Sequence, residues 1–255
     1  MVAVPLASAE TFDSPPSGNF HWKVYDYNAS GKALRSRQPF TVTVGSDGGV
    51  GFDFLFTPDT ALFITSHPSY RGDLLGDLSS DTTIKAKVGV TVTATTAFTY
   101  YGEPDACDGG VNKANVRFFF QTQTTGPFSE TDYWWANSPT SHAYLQVLKD
   151  TGDMMISNSF SGTEWSDFYG HFGSDPAYAA AYDAALRNVK AIGLSFGGGC
   201  FFENGVGIDP NSEGSGYFRL MDFSVDPPGV IDPNAIVVPS LLLAPFLEPT
   251  LIEIP

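Results

Sequence analysis

Basic residues are scarce: the 255 residues include 13 Lys and Arg against 28 Asp and Glu, a formal net charge of −15. Binding nucleic acid or an anionic lipid surface needs a basic stripe, so the balance argues against both. Cysteine is limited to Cys107 and Cys200, with no further Cys or His at ligand spacing to build a zinc site around them. His21, His67, His142 and His171 show neither H-x-H nor H-E-x-x-H spacing, which argues against a zinc or copper centre. A G-x-S-x-G elbow is missing, since Gly197-Gly198-Gly199-Cys200 has no serine. An unbroken apolar run long enough to cross a membrane is missing too. The apolar C-terminus carries five prolines after Pro228, and these break any spanning helix.

Phe, Thr, Val and Gly are plentiful, and charged residues make up only 16% of the chain. Short alternating runs between Gly- and Pro-containing turns predict an all-β protein. Strands are expected around Phe20–Tyr25, Pro39–Val44, Gly51–Thr57, Ile84–Thr93, Val116–Thr122, His142–Leu148, Met154–Ser159, Ile192–Phe196 and Tyr217–Val225. Phe52, Phe54 and Phe56 fall on one face of such a strand, and the run Phe118–Phe120 predicts burial on both faces. One helix is expected over Pro176–Asn188, with Asp175 as N-cap and Pro176 at the first helical position. The whole reads as a jelly-roll β-sandwich of about nine or ten antiparallel strands with one short helix.

Three regions follow. Residues 1–9 end in Ala7-Ser8-Ala9, an A-x-A pattern like the end of a secretory leader. Residues 10–226 form the sandwich, and residues 227–255 form a Pro-rich apolar tail. Such a tail must find cover, on its own sandwich or on a second copy by strand addition through residues 229–255. Secretion and an even cysteine count point to a Cys107–Cys200 disulfide, with two free thiols as the other reading.

Two aromatic clusters are candidates for ligand contact. Tyr133-Trp134-Trp135 is followed by Asn137, and Trp165 and Tyr169 bracket Asp167. Sugar rings stack on aromatic faces while polar side chains hold their hydroxyls. In a strand Trp134 and Trp135 point to opposite sides, so one belongs to the core and the other can serve as a platform. The contact set is therefore Tyr133, Trp135, Asn137, Trp165 and Asp167.

Ser66-His67-Pro68-Ser69-Tyr70-Arg71-Gly72-Asp73, the strand after it, Ala185–Val189 and the closing run Phe218–Val225 resemble the laminin IV (laminin B) type of domain and galactose-binding-like jelly rolls over about residues 12–225. The resemblance implies a secreted or cell-surface module for binding or adhesion. It also implies a structural calcium between the first and last strands, at Glu10 or Asp13 and at Asp222. Calcium takes six to eight oxygens, and Asp105 with Asp108 forms a looser acidic turn. The expected function is non-catalytic carbohydrate or matrix binding. The alternatives are an assembly protein joined through its tail and a polysaccharide or polyester hydrolase.

Overall fold

The computed structural model describes residues 8–10, 12, 21–27, 33–42, 48–93, 95–100, 114–198 and 205–227. Among them run sixteen strands in two antiparallel sheets, with two short α-helices. The all-β sandwich is as the alternation predicts, but it is divided more finely than nine or ten strands.

The first sheet contains β1 (Ser8–Glu10), β4 (Phe40–Val42), β5 (Gly49–Asp53), β7 (Thr83–Val92), β12 (Asp153–Ser159) and β16 (Gly216–Asp226). Its order is β12-β7-β16-β5-β4, with β1 also on β16. Ser8 and Ala9, placed by the A-x-A pattern in a leader, pair with Val225 and Ser224. The sandwich therefore begins before Glu10.

β7 alternates Ile84, Ala86, Val88 and Val90 into the core. β16 does so with Phe218 and Leu220, then with Phe223 and Val225, out of phase by one residue. A bulge between Leu220 and Asp222 absorbs the extra residue. Because strand side chains alternate with period two, that bulge keeps Phe223 and Val225 facing inward.

The second sheet contains β2 (Trp22–Tyr27), β3 (Ala33–Arg37), β6 (Thr60–Thr65), β8 (Phe98–Tyr100), β9 (Asn115–Gln121), β10 (Tyr133–Ala136), β11 (His142–Tyr144), β13 (Trp165–Ser166), β14 (Ala191–Gly197) and β15 (Val206–Ile208). The main path is β13-β10-β9-β14-β6-β15-β8; β2 lies on β6 and carries β3, and β11 lies on β9. Aromatic contacts join the two sheets: Trp22 to Phe223 at 4.9 Å, Phe196 to Phe218 at 5.0 Å, and Phe52 to Phe63 at 5.3 Å between ring centroids. These packed edge-on rings account for the high phenylalanine content.

Three expectations are corrected. Phe56 does not share the buried face of Phe52 and Phe54. β5 ends at Asp53, the chain turns, and Phe56 is 55% exposed. The strand expected over His142–Leu148 stops at Tyr144 and becomes helix α1 (Leu145–Thr151). Leu145 and Leu148 are both buried there, a helical spacing of three. Gly152 closes α1 at φ 88°, its N–H donating to the Leu148 carbonyl. There are thus two α-helices among the described residues, and α2 (Ala179–Leu186) is shorter than expected. Its approach is a turn in which Asp175 accepts from Ala177 N at 3.0 Å.

Candidate functional site

The outer surface of the second sheet is apolar where it faces away from the core. Along β9, Val116, Phe118 and Phe120 enter the inter-sheet core, and Phe119 points the other way. Along β10, Trp134 and Ala136 enter the core, while Trp135 belongs to the outer cluster and Tyr133 packs against it. Register aligns these strands: Trp135 pairs with Phe119, Phe119 with Gly193, and Gly193 with Ile64. Ile64, Phe119, Trp135 and Ala191 are buried on this outer side, and Tyr25, Leu62 and Tyr133 are half-buried against them. The outer face of a sandwich strand is ordinarily polar, so this inversion sets the region apart.

Exposed rings continue the patch at one end. Phe128 lies 5.1 Å from Tyr133, and Phe168 lies 6.5 Å from Tyr133 and 6.2 Å from Trp135. Phe128 and Phe168 are 43% and 37% exposed, and the adjacent Tyr169 is 60% exposed. Trp135 itself is only 6% exposed, and its Nε1 donates to Ser195 Oγ at 3.0 Å. It is the floor of the patch rather than a free platform.

Polar groups hold the aromatic frame in place. Asn137 accepts from Arg117 Nη1 at 2.7 Å, and its Nδ2 donates to Ser166 Oγ at 2.7 Å and to the Trp135 carbonyl at 3.0 Å. Asp132 precedes Tyr133 at the end of a short 3-10 turn over Glu130–Asp132. Burial pushes its carboxyl up, but donors from the Ser129 backbone, Thr122, Gln123 and the Ser129 hydroxyl together outweigh this and hold it below the usual carboxylate range. Burial, with the Asp132 charge adding to it, raises the Tyr133 hydroxyl well above its ordinary value.

The loop after β13 folds around Asp167, which is fully buried. Its Oδ1 accepts from Tyr169 N and His171 N at 2.9 Å each, and its Oδ2 lies 3.0 Å from His171 Nδ1. The His171 ring stacks on Tyr178 at 4.0 Å with an interplanar angle of 8°. The backbone closes on itself through Asp167 N to the His171 carbonyl at 2.9 Å, and Gly170 turns at φ 87°.

The two sequence clusters do meet, because β10 pairs with β13. Their residues divide by role. Tyr133 and Trp135 share the outer face. Trp165 is buried in the inter-sheet core, 5.0 Å from Phe120 and stacked on Phe160, with Nε1 donating to the Ser159 carbonyl at 2.7 Å. It has no ring face open to a ligand. Asn137 and Asp167 hold the frame and the loop. Phe128 and Phe168, in turns, carried no periodic signal. Phe119 was legible as buried on both faces of its strand, but its neighbours across the sheet were not.

Of the calcium pair, Asp13 lies outside the described residues. Asp222 is half-buried on the first sheet opposite Lys87, and the nearby Asp226 pairs with Lys85 at 2.8 Å. Burial raises the Asp222 carboxyl, ahead of the opposing Phe223 backbone hydrogen bond and the weaker charges of Asp226, Lys85 and Lys87. Among the described residues no group of three His, Cys, Asp or Glu is placed to hold a metal. A cation at Asp222 would need oxygens from elsewhere, against two lysines. Cys107, Cys200, Asp105, Asp108 and the tail 229–255 also lie outside the described residues. Among the described residues no helix is long and apolar enough to cross a membrane. Compared with known proteins, the chain matches no family model and no curated sequence.

Proposed function

We propose that this chain is a secreted or cell-surface, non-catalytic binding module of jelly-roll type whose ligand is a carbohydrate. The observation that carries the reading is the outward-facing aromatic surface of the second sheet, floored by Phe119 and Trp135 and rimmed by Tyr133, Phe128 and Phe168. The exposed rim rings Phe128 and Phe168, with half-buried Tyr133, offer faces to the apolar sides of sugar rings, while the buried Phe119 and Trp135 back them, with polar groups at the margin. The likeness to laminin IV and galactose-binding-like domains supports an extracellular role. A structural calcium at Asp13 and Asp222 belongs to the same proposal and rests on that likeness alone.

The test is retention of the purified protein on immobilised polysaccharides, together with the double variant Phe128→Ala/Phe168→Ala. Both rings are substantially exposed, so the variant should keep the wild-type melting temperature and lose retention. Retention unchanged by the double variant would move the site elsewhere. No retention on any polysaccharide would end the carbohydrate reading and leave the apolar face to a protein partner.

A further inference from the structure

We infer that the ligand is an uncharged polysaccharide gripped at the rim by Tyr169 and His171, the Tyr169 ring stacking on a sugar and His171 Nε2 accepting a sugar hydroxyl. The inference rests on the carbohydrate reading and adds the contact pair and the ligand class.

The loop that carries these residues is built to set one imidazole. The fully buried Asp167 uses one oxygen on two backbone N–H groups and turns the other to His171 Nδ1 at 3.0 Å. A carboxylate only accepts, so in the neutral ring the proton sits on Nδ1 and Nε2 keeps its lone pair. Tyr178 supports the ring from below. Its hydroxyl is 3.2 Å from Nε2, but the rings are nearly parallel at 8°. The lone pair lies in the imidazole plane, so a hydroxyl stacked against that plane does not satisfy it. The His171 side chain is 37% exposed. Tyr169 stands edge-on beside it at 6.4 Å and is the most exposed large ring among the described residues, at 60%. Phe168 leads from this pair directly onto the Tyr133–Trp135 surface.

Charge selects the ligand class. Asp167 lies 3.0 Å from His171 Nδ1, Phe168 N donates to the Glu130 carbonyl at 3.5 Å and Tyr178 N donates to the Asp175 carbonyl at 2.8 Å, so three acidic residues border this rim. With a net charge of −15 over the whole chain, a uronate or sulfated polymer would be repelled. A neutral glycan brings hydroxyl donors, which an acceptor nitrogen requires.

The test uses the full chain on neutral glycans (mannan, β-glucan, galactan) and on anionic ones (polygalacturonate, heparin). Retention on a neutral glycan is expected to weaken about tenfold in Tyr169→Ala and in His171→Ala. The exposed Tyr169 makes its variant safe for folding, and His171→Gln stands in if His171→Ala unfolds. Asp167 is a positioning residue, and Asp167→Asn tests it. The amide oxygen can still accept from both backbone N–H groups, but its NH2 now donates to Nδ1 and moves the ring proton to Nε2. The 15N shifts of His171 should report that tautomer change, with binding falling as in His171→Ala. Retention of Tyr169→Ala and His171→Ala equal to wild type would overturn the inference and leave the carbohydrate reading standing. Retention of wild type on anionic glycans alone would overturn the ligand class. Wild type that is retained on nothing would bring down the underlying reading itself.

Discussion

Trp135 and Trp165 show how far residue type is from residue role. Both were candidates for stacking, and both are buried, Trp165 between the sheets and Trp135 beneath the outer aromatic patch. Replacing Trp135 by Ala should therefore cost stability as well as binding, by about 3–5 kcal/mol in urea unfolding. A loss below about 1 kcal/mol would show that its surroundings collapse without strain. Asp222 makes an opposite prediction. Its carboxyl is raised above the ordinary range by burial, so the folded protein holds that proton more tightly than the unfolded chain does. Stability then falls as pH rises from the unfolded value through the raised folded value. In chelator at neutral pH, Asp222→Asn should melt higher than wild type. Should a calcium ion bind there, added calcium would raise the melting temperature of wild type and leave that of Asp222→Asn unchanged.

At the scale of elements, two short irregularities keep long strands in phase. The bulge after Leu220 lets β16 serve β7 along its length while both halves of the strand face the core. Gly152 does comparable work between α1 and β12. It takes φ 88°, ψ −76° and leaves open space where a Cβ would stand. A substitution there meets no neighbour, only its own backbone. Gly152→Ala should cost about 1–2 kcal/mol by denaturant unfolding, and a neutral result would mean that the helix end relaxes to another turn. The Asp167 loop is a third such device, with one buried carboxylate fixing the backbone of Tyr169 and His171 and the His171 ring.

At the scale of the molecule, the early and late chain meet in the first sheet, where Ser8–Glu10 pairs with Phe223–Val225. Closure of that sheet therefore depends on a contact of long sequence separation, which carries a loop-closure cost. The same scale decides between binding and assembly. If residues 229–255 join copies by strand addition, sedimentation of the full chain should show mass rising with concentration, and the chain ended after Pro227 should sediment as a monomer. Oligomers that persist without those residues would instead implicate the apolar outer face of the second sheet.

Alternation along β7, β12, β14 and β16 was enough to read an all-β chain, because a strand's period of two is a local property. Opposite orientations for Trp134 and Trp135 follow from the same rule. Helix α1 was missed because its seven residues, LQVLKDT, are too few for a 3.6-residue period to stand out from an apolar strand. Which strand lies beside which is not local. Register between β9, β10, β14 and β6 brings Phe119, Trp135, Ala191 and Ile64 together from four separate segments. Most sheet-forming segments, the charge and the candidate aromatics are legible along the chain. Which rings face the core and which the outer side of the second sheet is set by tertiary contacts, because strand pairing and loop hydrogen bonds join residues that no spacing along the chain connects.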